Sequence, residues 1–535
     1  MLPHQIELSE KLSYILENNH GFITSSPVGS GKTYVTLWLA KKFGFSLVVI
    51  CPVTIKHIWE QLAQKFGVHI VFIMSYESLA GNETHGIKHN YLTRTESTYK
   101  GKSNPIFEAT EDFLKIVDKG VLMVFDEYQK IKNPNTYYKA CNALLKPILY
   151  PDEHISGLSR FALLSGTPYD KITHAIYNLK ILGYIQSPKL YRKIGGIVSY
   201  KKYGLGELIT LCKQINRTLT KQLIAQYGIT VDSIETLVYK LYSNIVKYNI
   251  SASMTSEKNP MITNDIANGF FKITRPENLA AIEYSMGVII ERVLPKLKKN
   301  IEEFGNKTML QLLKISENRH IPEIDDENIE EPLDLLSLMN FHLKRIEFNK
   351  AYDYTRIAKY ILDMNKNNKV IISINYKDTI SEVSEILAEY RPLVLDGSVK
   401  ESDRAEIIRK FNEDSQYRVL VMSTKTGGVG ISLHDIVGNF PRFMILGPSY
   451  NFIDITQAAG RIVRTGQASD SWIRIFYTKD SPELNLLTAL ANKSDVLKGA
   501  IDDNVSESIL LIGDYPTFIE EDDGPVGLAT LPPQR

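Results

Sequence analysis

The stretch that decides the fold of the first part of the chain is Ser26-Pro27-Val28-Gly29-Ser30-Gly31-Lys32-Thr33. A short run of aromatic and β-branched residues, 21–24, precedes it, and residues 34–40 follow with a helical pattern. Strand, glycine-rich turn and helix in this order predict a phosphate-binding loop. Its first position carries Ser26 where the usual pattern has a glycine, while the core from Gly29 to Thr33 is intact.

The residues of this loop have the chemistry to hold ATP and Mg²⁺. Gly29 and Gly31, with Ser30 between them, let the backbone turn its N–H groups towards a polyphosphate. The N-terminus of the following helix adds its partial positive charge. Lys32 can reach the β- and γ-phosphates, and Thr33 can ligate Mg²⁺ through its hydroxyl. An ATP site is therefore predicted here, rather than a glycine-rich loop that happens to carry Lys-Thr.

The alternation of strands and helices divides the chain into four parts. Apolar strands alternate with helical patterns over residues 1–175 and again over 351–490, which predicts two α/β domains with doubly wound parallel sheets. Residues 176–350 between them are mainly helical in pattern, and residues 491–535 are an acidic tail. In each α/β domain the functional residues are expected at the carboxyl ends of the strands.

Composition limits the class of protein. The 535 residues carry 62 basic and 61 acidic side chains, a net charge of +1, so the overall charge predicts no partner. Cys51, Cys141 and Cys212 are far apart, which argues against a disulfide framework or a zinc site and fits a reducing compartment. No apolar run approaches the ~18 residues of a membrane span. We expect an intracellular protein of the cytoplasm, the nucleus, a viral factory or a virion.

A second set of residues completes a nucleotide-hydrolysing site. The buried strand predicted at 121–125 ends in Asp126-Glu127. In a parallel sheet this end lies at the same edge as the phosphate loop. Asp126 would hold Mg²⁺ through water, and Glu127 would polarise the attacking water. An Asp-Glu pair alone is usually solvated surface, but after an apolar strand and a Gly-Lys-Thr loop it predicts hydrolysis.

A third set lies in the second α/β domain. Gln457, Arg461 and Arg464 are spaced as i, i+4 and i+7, which predicts one face of a helix. Two arginines there suit charge stabilisation of a leaving phosphoryl group, where an arginine finger is worth about 10³–10⁵ in rate. The alternative is a solvated basic face. Against it, the face carries no acid, and Gly460 in mid-helix costs about 1 kcal/mol.

In order and spacing these sets resemble the motifs of the superfamily 2 helicases, and most closely those of the Swi/Snf-like ATPases. The matching segments are Gln5, Gly29 to Thr33, Pro52 with Trp59-Glu60, Ser75 to Leu79, Asp126 to Asn133, Ser165 to Pro168, Leu395 to Ser398, Arg404, Phe411-Asn412, Ser423-Thr424, Gly427 to Leu433 and Gln457 to Gln467. The resemblance covers residues 1–170 and 351–470 and implies two RecA-like domains with ATP between them.

The resemblance also implies roles for single residues. Gln5 would read the adenine, and Gly430 would belong to the nucleotide site. Gln457, Arg461 and Arg464 would act in catalysis with Glu127. The implied nucleic-acid contacts are Pro52, Ser75 and Thr424, and the residues that would couple hydrolysis to movement are Gln129, Ser165 and Thr167.

Several positions depart from the family pattern. Gln129 replaces the usual histidine, and Ser432 replaces an asparagine. Tyr169-Asp170-Lys171 stands where Ile-Gln-Asn is usual, and Tyr450-Asn451-Phe452 where Trp-Asn-Pro is common. The chain is thus identified as a divergent member. Its compact length is similar to that of viral members such as the poxvirus-type nucleoside triphosphatases.

Charge is strongly segregated in the middle of the chain. Residues 171–231 carry ten basic residues and one acid, whereas 321–342 carry seven acids and neither lysine nor arginine. The cluster expected to grip a nucleic-acid backbone is Lys189, Arg192, Lys193, Lys201 and Lys202. The alternative is a basic surface offset by the acidic segment. The acidic segments 321–342 and 501–535 would offer a surface to a protein partner, and a monomer is expected.

The sequence therefore predicts a nucleic-acid-stimulated ATPase that moves along double-stranded DNA. A strand-separating DNA or RNA helicase acting in transcription, replication or repair is the alternative. A scaffold without enzymatic activity is a third interpretation, and the intact Lys32, Asp126, Glu127 and Arg464 argue against it.

Overall fold

A computed structural model describes residues 2–27, 29–81, 86–99, 102–187, 189–194, 197–254, 262–271, 273–300, 332–427, 431–449, 452–464, 466–478 and 483. The chain forms two compact units, with the change from the first to the second between Glu257 and Lys258. The predicted acidic tail lies outside the described residues, as does the part of the acidic segment before residue 332.

The first unit contains a parallel sheet and two antiparallel hairpins. Its strands are β1 (Gly21–Thr24), β2 (Ser46–Ile50), β3 (Ile70–Met74), β4 (Leu92–Tyr99), β5 (Lys102–Ala109), β6 (Val121–Asp126), β7 (Arg160–Leu164), β8 (Arg192–Ile194) and β9 (Ile197–Ser199). The parallel sheet has the order β1-β7-β6-β2-β3, while β4 pairs with β5 and β8 with β9. One strand, β7, therefore separates the strand before the phosphate loop from the strand that ends in Asp126.

Helices cover both faces of this sheet. They are α1 (Pro3–Asn18), α2 (Lys32–Phe43), α3 (Lys56–Phe66), α4 (Tyr76–Ala80), α5 (Glu111–Asp118), α6 (Thr136–Leu149), α7 (His174–Ile181), α8 (Gly204–Ile215), α9 (Arg217–Tyr227), α10 (Ile234–Leu241) and α11 (Lys247–Ile250). Pro3 opens α1 at a position where its missing N–H costs nothing. Thr110 and Asn135 cap α5 and α6 by accepting backbone N–H groups with their side chains.

Alternate residues of each central strand serve two cores. In β6, Met123 and Phe125 lie in one buried cluster and Leu122 and Val124 in the other. This division follows from the two-residue period of a strand whose two faces are both covered. The predicted doubly wound α/β architecture is confirmed.

The helices that follow the first α/β part belong to the first unit. Leu205 and Leu208 of α8 and Leu237 of α10 are buried in the same cluster as Phe125 of β6. The short ribbon of β8 and β9 lies between α7 and α8. The chain from α7 to α11 is thus built onto one face of the first sheet.

The second unit contains a sheet in which every pair of neighbouring strands is parallel. Its strands are β10 (Asn264–Phe271), β11 (Lys369–Ile374), β12 (Leu393–Leu395), β13 (Val419–Ser423), β14 (Arg442–Leu446) and β15 (Ser471–Thr478), in the order β10-β15-β14-β11-β13-β12. Its helices are α12 (Pro276–Gly287), α13 (Leu294–Asn300), α14 (Pro332–Asn349), α15 (Ala351–Met364), α16 (Lys377–Ile386), α17 (Glu401–Glu413), α18 (Thr424–Gly427) and α19 (Phe452–Ala459).

The edge strand β10 comes from the part of the sequence predicted to be mainly helical. It runs beside β15 over its whole length, from Asn264 opposite Ser471 to Phe271 opposite Thr478. An ion pair of 2.5 Å joins Asp265 of β10 to the buried Arg474 of β15. The second sheet therefore begins well before residue 351.

Among the helices in the described ranges, the structure has none with the length and apolar character that crossing a membrane requires.

Candidate nucleotide and nucleic-acid sites

The phosphate loop has the backbone conformation that its glycines allow. Gly29 and Gly31 have φ values of 83° and 95°, a region that residues with a Cβ rarely adopt. Gly31 precedes the first residue of α2, and the Lys32 ammonium donates to the carbonyl oxygens of Ser26 at 2.8 Å and Pro27 at 3.1 Å. Lys32 therefore already lies over the loop, where a phosphate oxygen would take the place of the two carbonyls.

Gln5 lies against this loop, and its predicted contact with adenine stays a prediction. Its amide nitrogen donates to the carbonyl of Ser30 at 3.3 Å, and its amide oxygen accepts the N–H of Leu2 at 3.0 Å. A Cβ added to Gly31 would lie 2.3 Å from the same amide nitrogen. Close packing of Gln5 is thus a second reason, besides φ, for a glycine at position 31.

Ser26, the departure at the first position of the loop, has a structural partner that sequence reasoning missed. Its hydroxyl is 2.7 Å from that of Thr24 and accepts the backbone N–H of Met254 at 3.0 Å. Ser251 bridges to Ile23 of β1, so the segment after α11 runs beside the strand that leads into the loop. The serine hydroxyl therefore ties the phosphate loop to the last described residue of the first unit.

Asp126 is held by neighbours on other elements. The Trp59 indole N–H donates to one carboxylate oxygen at 2.9 Å, and the N–H of Glu127 donates to the other at 3.0 Å. The Tyr76 hydroxyl donates to the carbonyl oxygen of Asp126 at 2.9 Å. Burial, together with the neighbouring Glu127 carboxylate, raises the pKa of Asp126 to about 6. Trp59 and Tyr76 belong to segments that resemble the family motifs, but the sequence did not predict that they contact Asp126.

The three predicted coupling residues lie together beside Glu127. The Gln129 amide nitrogen donates to the Glu127 carboxylate at 2.5 Å, and the Ser165 hydroxyl donates to the Gln129 amide oxygen at 2.6 Å. The same Ser165 oxygen accepts the backbone N–H of Thr167 at 3.0 Å. Glu127 has a φ of 55°, uncommon for a residue with a side chain. Gln129 thus joins the end of β6 to the end of β7.

The donor set fits ATP with Mg²⁺. Thr33 lies half-buried in the first turn of α2, and the positive charge of Lys32 acts on the Asp126 carboxylate. Hydroxyl and carboxylate oxygens are ligands that Mg²⁺ prefers, completed by water and substrate phosphates. Within the ranges that the structure describes, no group of three or more His, Cys, Asp or Glu could hold a metal by itself.

The predicted helix face in the second unit is wrong in one respect. Helix α19 ends at Ala459, and Arg461 donates its N–H to Ala458 in a tighter turn, so the two arginines follow the helix instead of lying on it. The physical reason is Gly460, which lowers helix propensity where the continuous helix was predicted. Gln457 remains on α19 and is buried.

The two arginines differ in exposure. Arg461 keeps only 1% of its surface exposed and donates to the Ile431 carbonyl at 3.2 Å. Arg464 is half-buried and donates to the Gly460 carbonyl at 3.0 Å and to the Ser432 hydroxyl at 2.5 Å. Ser432, a departure from the family pattern, therefore orients Arg464. Gly430 lies outside the described residues.

Three predicted nucleic-acid contacts are buried side chains. Ser75 caps α4 by accepting the N–H of Ser78 at 3.0 Å, and Pro52 is buried at the end of β2. Thr424 is fully buried and accepts a hydrogen bond from the Ser373 hydroxyl at 3.1 Å. Ser75 and Thr424 are thus hydrogen-bonded within the protein, and Pro52 is buried in it. Contact of the three residues with nucleic acid stays a prediction.

The predicted basic cluster is fully on the surface. Its members Lys189, Arg192, Lys193, Lys201 and Lys202 are all exposed. In the part of the chain that the structure describes, none of the five has a carboxylate within ion-pair distance. Their positive charge is therefore not neutralised by a described ion pair.

Comparison with known proteins gives one family and several relatives. Residues 353–466 match the family described as "Helicase conserved C-terminal domain". The chain is 22% identical over 507 residues to the putative ATP-dependent RNA helicase L364 of Acanthamoeba polyphaga mimivirus. It is 33% identical over 157 residues to the ATP-dependent helicase FUN30 of Saccharomyces cerevisiae, and 35% identical over 109 residues to the DNA repair protein RAD5A of Arabidopsis thaliana.

These relatives are covered to different extents. The match to the mimivirus protein takes in 92% of this chain and 82% of the viral protein. The matches to the yeast and plant proteins take in 29% and 20% of this chain, and only 13% and 10% of those proteins. The similarity to the cellular relatives is therefore confined to a shared part of much longer chains.

Proposed function

Because this chain is a divergent Swi/Snf-like ATPase of helicase superfamily 2, we propose that it couples ATP hydrolysis to movement along double-stranded DNA. The observation that carries the proposal is the hydrogen-bonded chain from Glu127 through Gln129 to Ser165. It connects Glu127, the residue assigned to hydrolysis, with Ser165 in the loop after β7. In a motor, hydrolysis has to be linked to elements that change position.

The chain's own residues divide the work of hydrolysis. Lys32 leaves the carbonyls of Ser26 and Pro27 and binds phosphate oxygens, with the backbone N–H groups around Gly31. Thr33 and Asp126 would hold Mg²⁺, which when bound neutralises charge on the phosphates. Glu127 orients and deprotonates the attacking water, and the hydrogen bond that it accepts from Gln129 connects this residue to the end of β7.

The second unit contributes positive charge in this proposal. Arg464 is the arginine best suited to meet a phosphoryl group, because it is only half-buried and a serine hydroxyl orients it. Arg461 is buried and holds the backbone at Ile431, so its contribution is to position this region. The proposal therefore separates the two arginines, which the sequence pattern treated alike.

Double-stranded DNA is the proposed track. The exposed cations near the ribbon of β8 and β9 give the first unit a surface suited to phosphates. The relative from Arabidopsis is named a DNA repair protein, which supports DNA. A second candidate, an RNA helicase, is favoured by the name of the mimivirus relative, whose match takes in almost the whole chain.

Two displacement assays distinguish these functions. The full chain with ATP should displace a third strand from a triplex, which requires movement on duplex DNA without strand separation. A strand-separating helicase would instead release the shorter strand of tailed DNA or RNA duplexes. Glu127→Gln is the control, because it should bind ATP and displace nothing. Strand release from tailed duplexes without triplex displacement would overturn the translocase proposal.

The cellular compartment and the binding partners are part of the same proposal. Cys51, Cys141 and Cys212 are free and buried, which fits the reducing intracellular compartment that the composition predicts. Nucleic acid is the proposed partner, and the acidic segments remain proposed contact sites for a protein.

A further inference from the structure

The ribbon formed by β8 and β9 ends in two exposed apolar side chains. Ile194 and Ile197 are paired across the ribbon, and they keep 57% and 74% of their surface exposed. The sequence between them is Gly195-Gly196. Two neighbouring aliphatic side chains at the end of a ribbon have the form of the short apolar wedges that some proteins insert into a partner.

The base of the ribbon is anchored, so the position of its tip is defined. Tyr191, Val198 and Tyr200 pack against the main core of the first unit. The side chains of Arg192 and Lys193, on the outgoing strand, are exposed instead. The ribbon is therefore attached to the folded unit at its base and through Val198 in the middle of β9, and it presents charge along its other face and apolar surface at its tip.

The charge around the ribbon is mostly positive, and the nearby Glu207 carboxylate accepts the backbone N–H groups of Gln186 and Ser187. From residue 171 to residue 206 the sequence contains seven basic residues and no acid. Lys189, Arg192, Lys193, Lys201 and Lys202 are exposed and have no ion pair among the described residues. A partner that fits must be polyanionic on its outside and apolar where the tip enters. A base-stacked nucleic acid has both properties, because phosphates surround stacked bases.

We propose that this ribbon is a nucleic-acid wedge, in which the cations bind phosphates while Ile194 and Ile197 enter between neighbouring bases. Apolar wedges of isoleucine, leucine or phenylalanine partly unstack a base step and bend the duplex. The β-ribbon itself is narrow enough for a groove of duplex DNA. The choice of ligand class rests on the proposed function, whereas the ribbon's geometry does not.

The test is base unstacking measured on the full chain. Short duplexes carry the fluorescent base 2-aminopurine at successive positions, and its fluorescence rises when a neighbour is unstacked. The wild-type chain without ATP should raise the signal and bind the duplex. The double variant Ile194→Ser/Ile197→Ser should lose the signal and bind about tenfold more weakly, because two apolar contacts are removed. Its salt dependence should be unchanged, since the cations remain.

Matched variants separate the wedge from a general effect of exposed apolar groups. Ile106→Ser/Leu158→Ser removes two aliphatic side chains that are 46% and 59% exposed elsewhere on the same unit, and should behave as wild type. Ile194→Leu/Ile197→Leu keeps an apolar tip and should retain the fluorescence signal. Thermal unfolding of each variant should match that of the wild type, because the substituted side chains are exposed.

Two results would overturn the wedge. One is a serine double variant that binds and unstacks the duplex like the wild type. The other is wild-type binding to vesicles of phosphatidylserine that the serine variant loses, with no unstacking of DNA, which would assign the tip to a membrane surface. If the wild-type chain unstacks the duplex but does not displace a third strand from a triplex, the translocase proposal is wrong and the wedge proposal stands.

Discussion

The Ser165 hydroxyl donates a hydrogen bond of 2.6 Å to the amide oxygen of Gln129. The amide nitrogen of the same Gln129 side chain donates to the Glu127 carboxylate. Gln129 therefore joins the end of β6, where Glu127 lies, to the end of β7, where Ser165 lies. Gln129, which stands where the family usually has histidine, therefore donates a hydrogen bond through its amide nitrogen and accepts one through its amide oxygen.

The hydrogen bonds of Gln129 predict that ATP hydrolysis without nucleic acid can be separated from its stimulation by DNA. Gln129→Ala should keep ATP turnover without nucleic acid within about threefold, because Lys32, Asp126 and the Glu127 carboxylate remain. Stimulation by duplex DNA should fall by about tenfold, because Ser165 loses its partner. Gln129→His should restore part of the stimulation. Turnover is measured with and without DNA, and full stimulation in Gln129→Ala would contradict a coupling role.

Hydrolysis should respond differently to two substitutions in the nucleotide site. Lys32→Ala should lose ATP binding and turnover, because no other residue of the loop carries its charge. Glu127→Gln should bind ATP but turn it over about 10²–10⁴ times more slowly, because the water loses its base. Nucleotide binding by fluorescence titration and turnover by phosphate release distinguish the two. Normal turnover in Glu127→Gln would show that the catalytic assignment is wrong.

Arg464 and Arg461 should fail in different ways. Arg464→Ala should lower kcat by about 10³ or more with little change in nucleotide affinity, because its contact forms in the transition state. Arg461→Ala should also lower the free energy of unfolding, by about 1–3 kcal/mol, because it leaves the Ile431 carbonyl unpaired in a buried place. Steady-state kinetics and urea unfolding measure the two effects. Equal stability losses in both variants would contradict this division.

The basic cluster should govern the salt dependence of DNA binding. Changing Lys189, Arg192, Lys193, Lys201 and Lys202 to alanine should flatten the slope of log K against log[salt] by about three to five, because each phosphate contact contributes about 0.9. ATP turnover without DNA should persist.

The matched control removes the same charge from exposed lysines elsewhere, namely Lys41, Lys65, Lys119, Lys146 and Lys366. This control should leave the slope nearly unchanged. An equal slope change in both variants would mean that only the total charge matters, and the cluster would not be a binding site.

Ser26 should matter for stability more than for chemistry. Ser26→Ala leaves the buried N–H of Met254 without its acceptor and should lower the free energy of unfolding of the first unit by about 1–3 kcal/mol. Urea unfolding followed by the fluorescence of Trp38 and Trp59 reports on this unit when Trp472 of the second unit is replaced by phenylalanine in every chain compared. Thr210→Ala is the control in the same unit, because its exposed hydroxyl bonds to the Gly206 carbonyl within α8, and it should change stability by less than about 0.5 kcal/mol. Equal losses would contradict the role of the Ser26 contact.

The parts of the fold that the sequence predicted are those set by local pattern. The strand ending at Asp126 is apolar at every preceding position, and the loop before Lys32 is rich in glycine, so neighbouring residues alone indicate both elements. Their meeting at one edge follows from the rule for parallel sheets. The coupling residues were found by resemblance, and the structure brings them together.

The parts that were missed depend on contacts distant in sequence. β10 pairs with β15 more than 200 residues later, and no local pattern shows that partner. The contact of Ser26 with Met254 is equally remote. The end of α19 was missed for a local reason: the spacing of Gln457, Arg461 and Arg464 fits a helix, and the cost of Gly460 was weighed as a sign of function instead of a helix end.

ATP turnover compared across duplex DNA, single-stranded DNA and RNA tests the central claim most directly. Duplex DNA should stimulate the wild-type chain most strongly, and Glu127→Gln should respond to none of the three. Stimulation by RNA alone, or turnover that no nucleic acid changes, would contradict it.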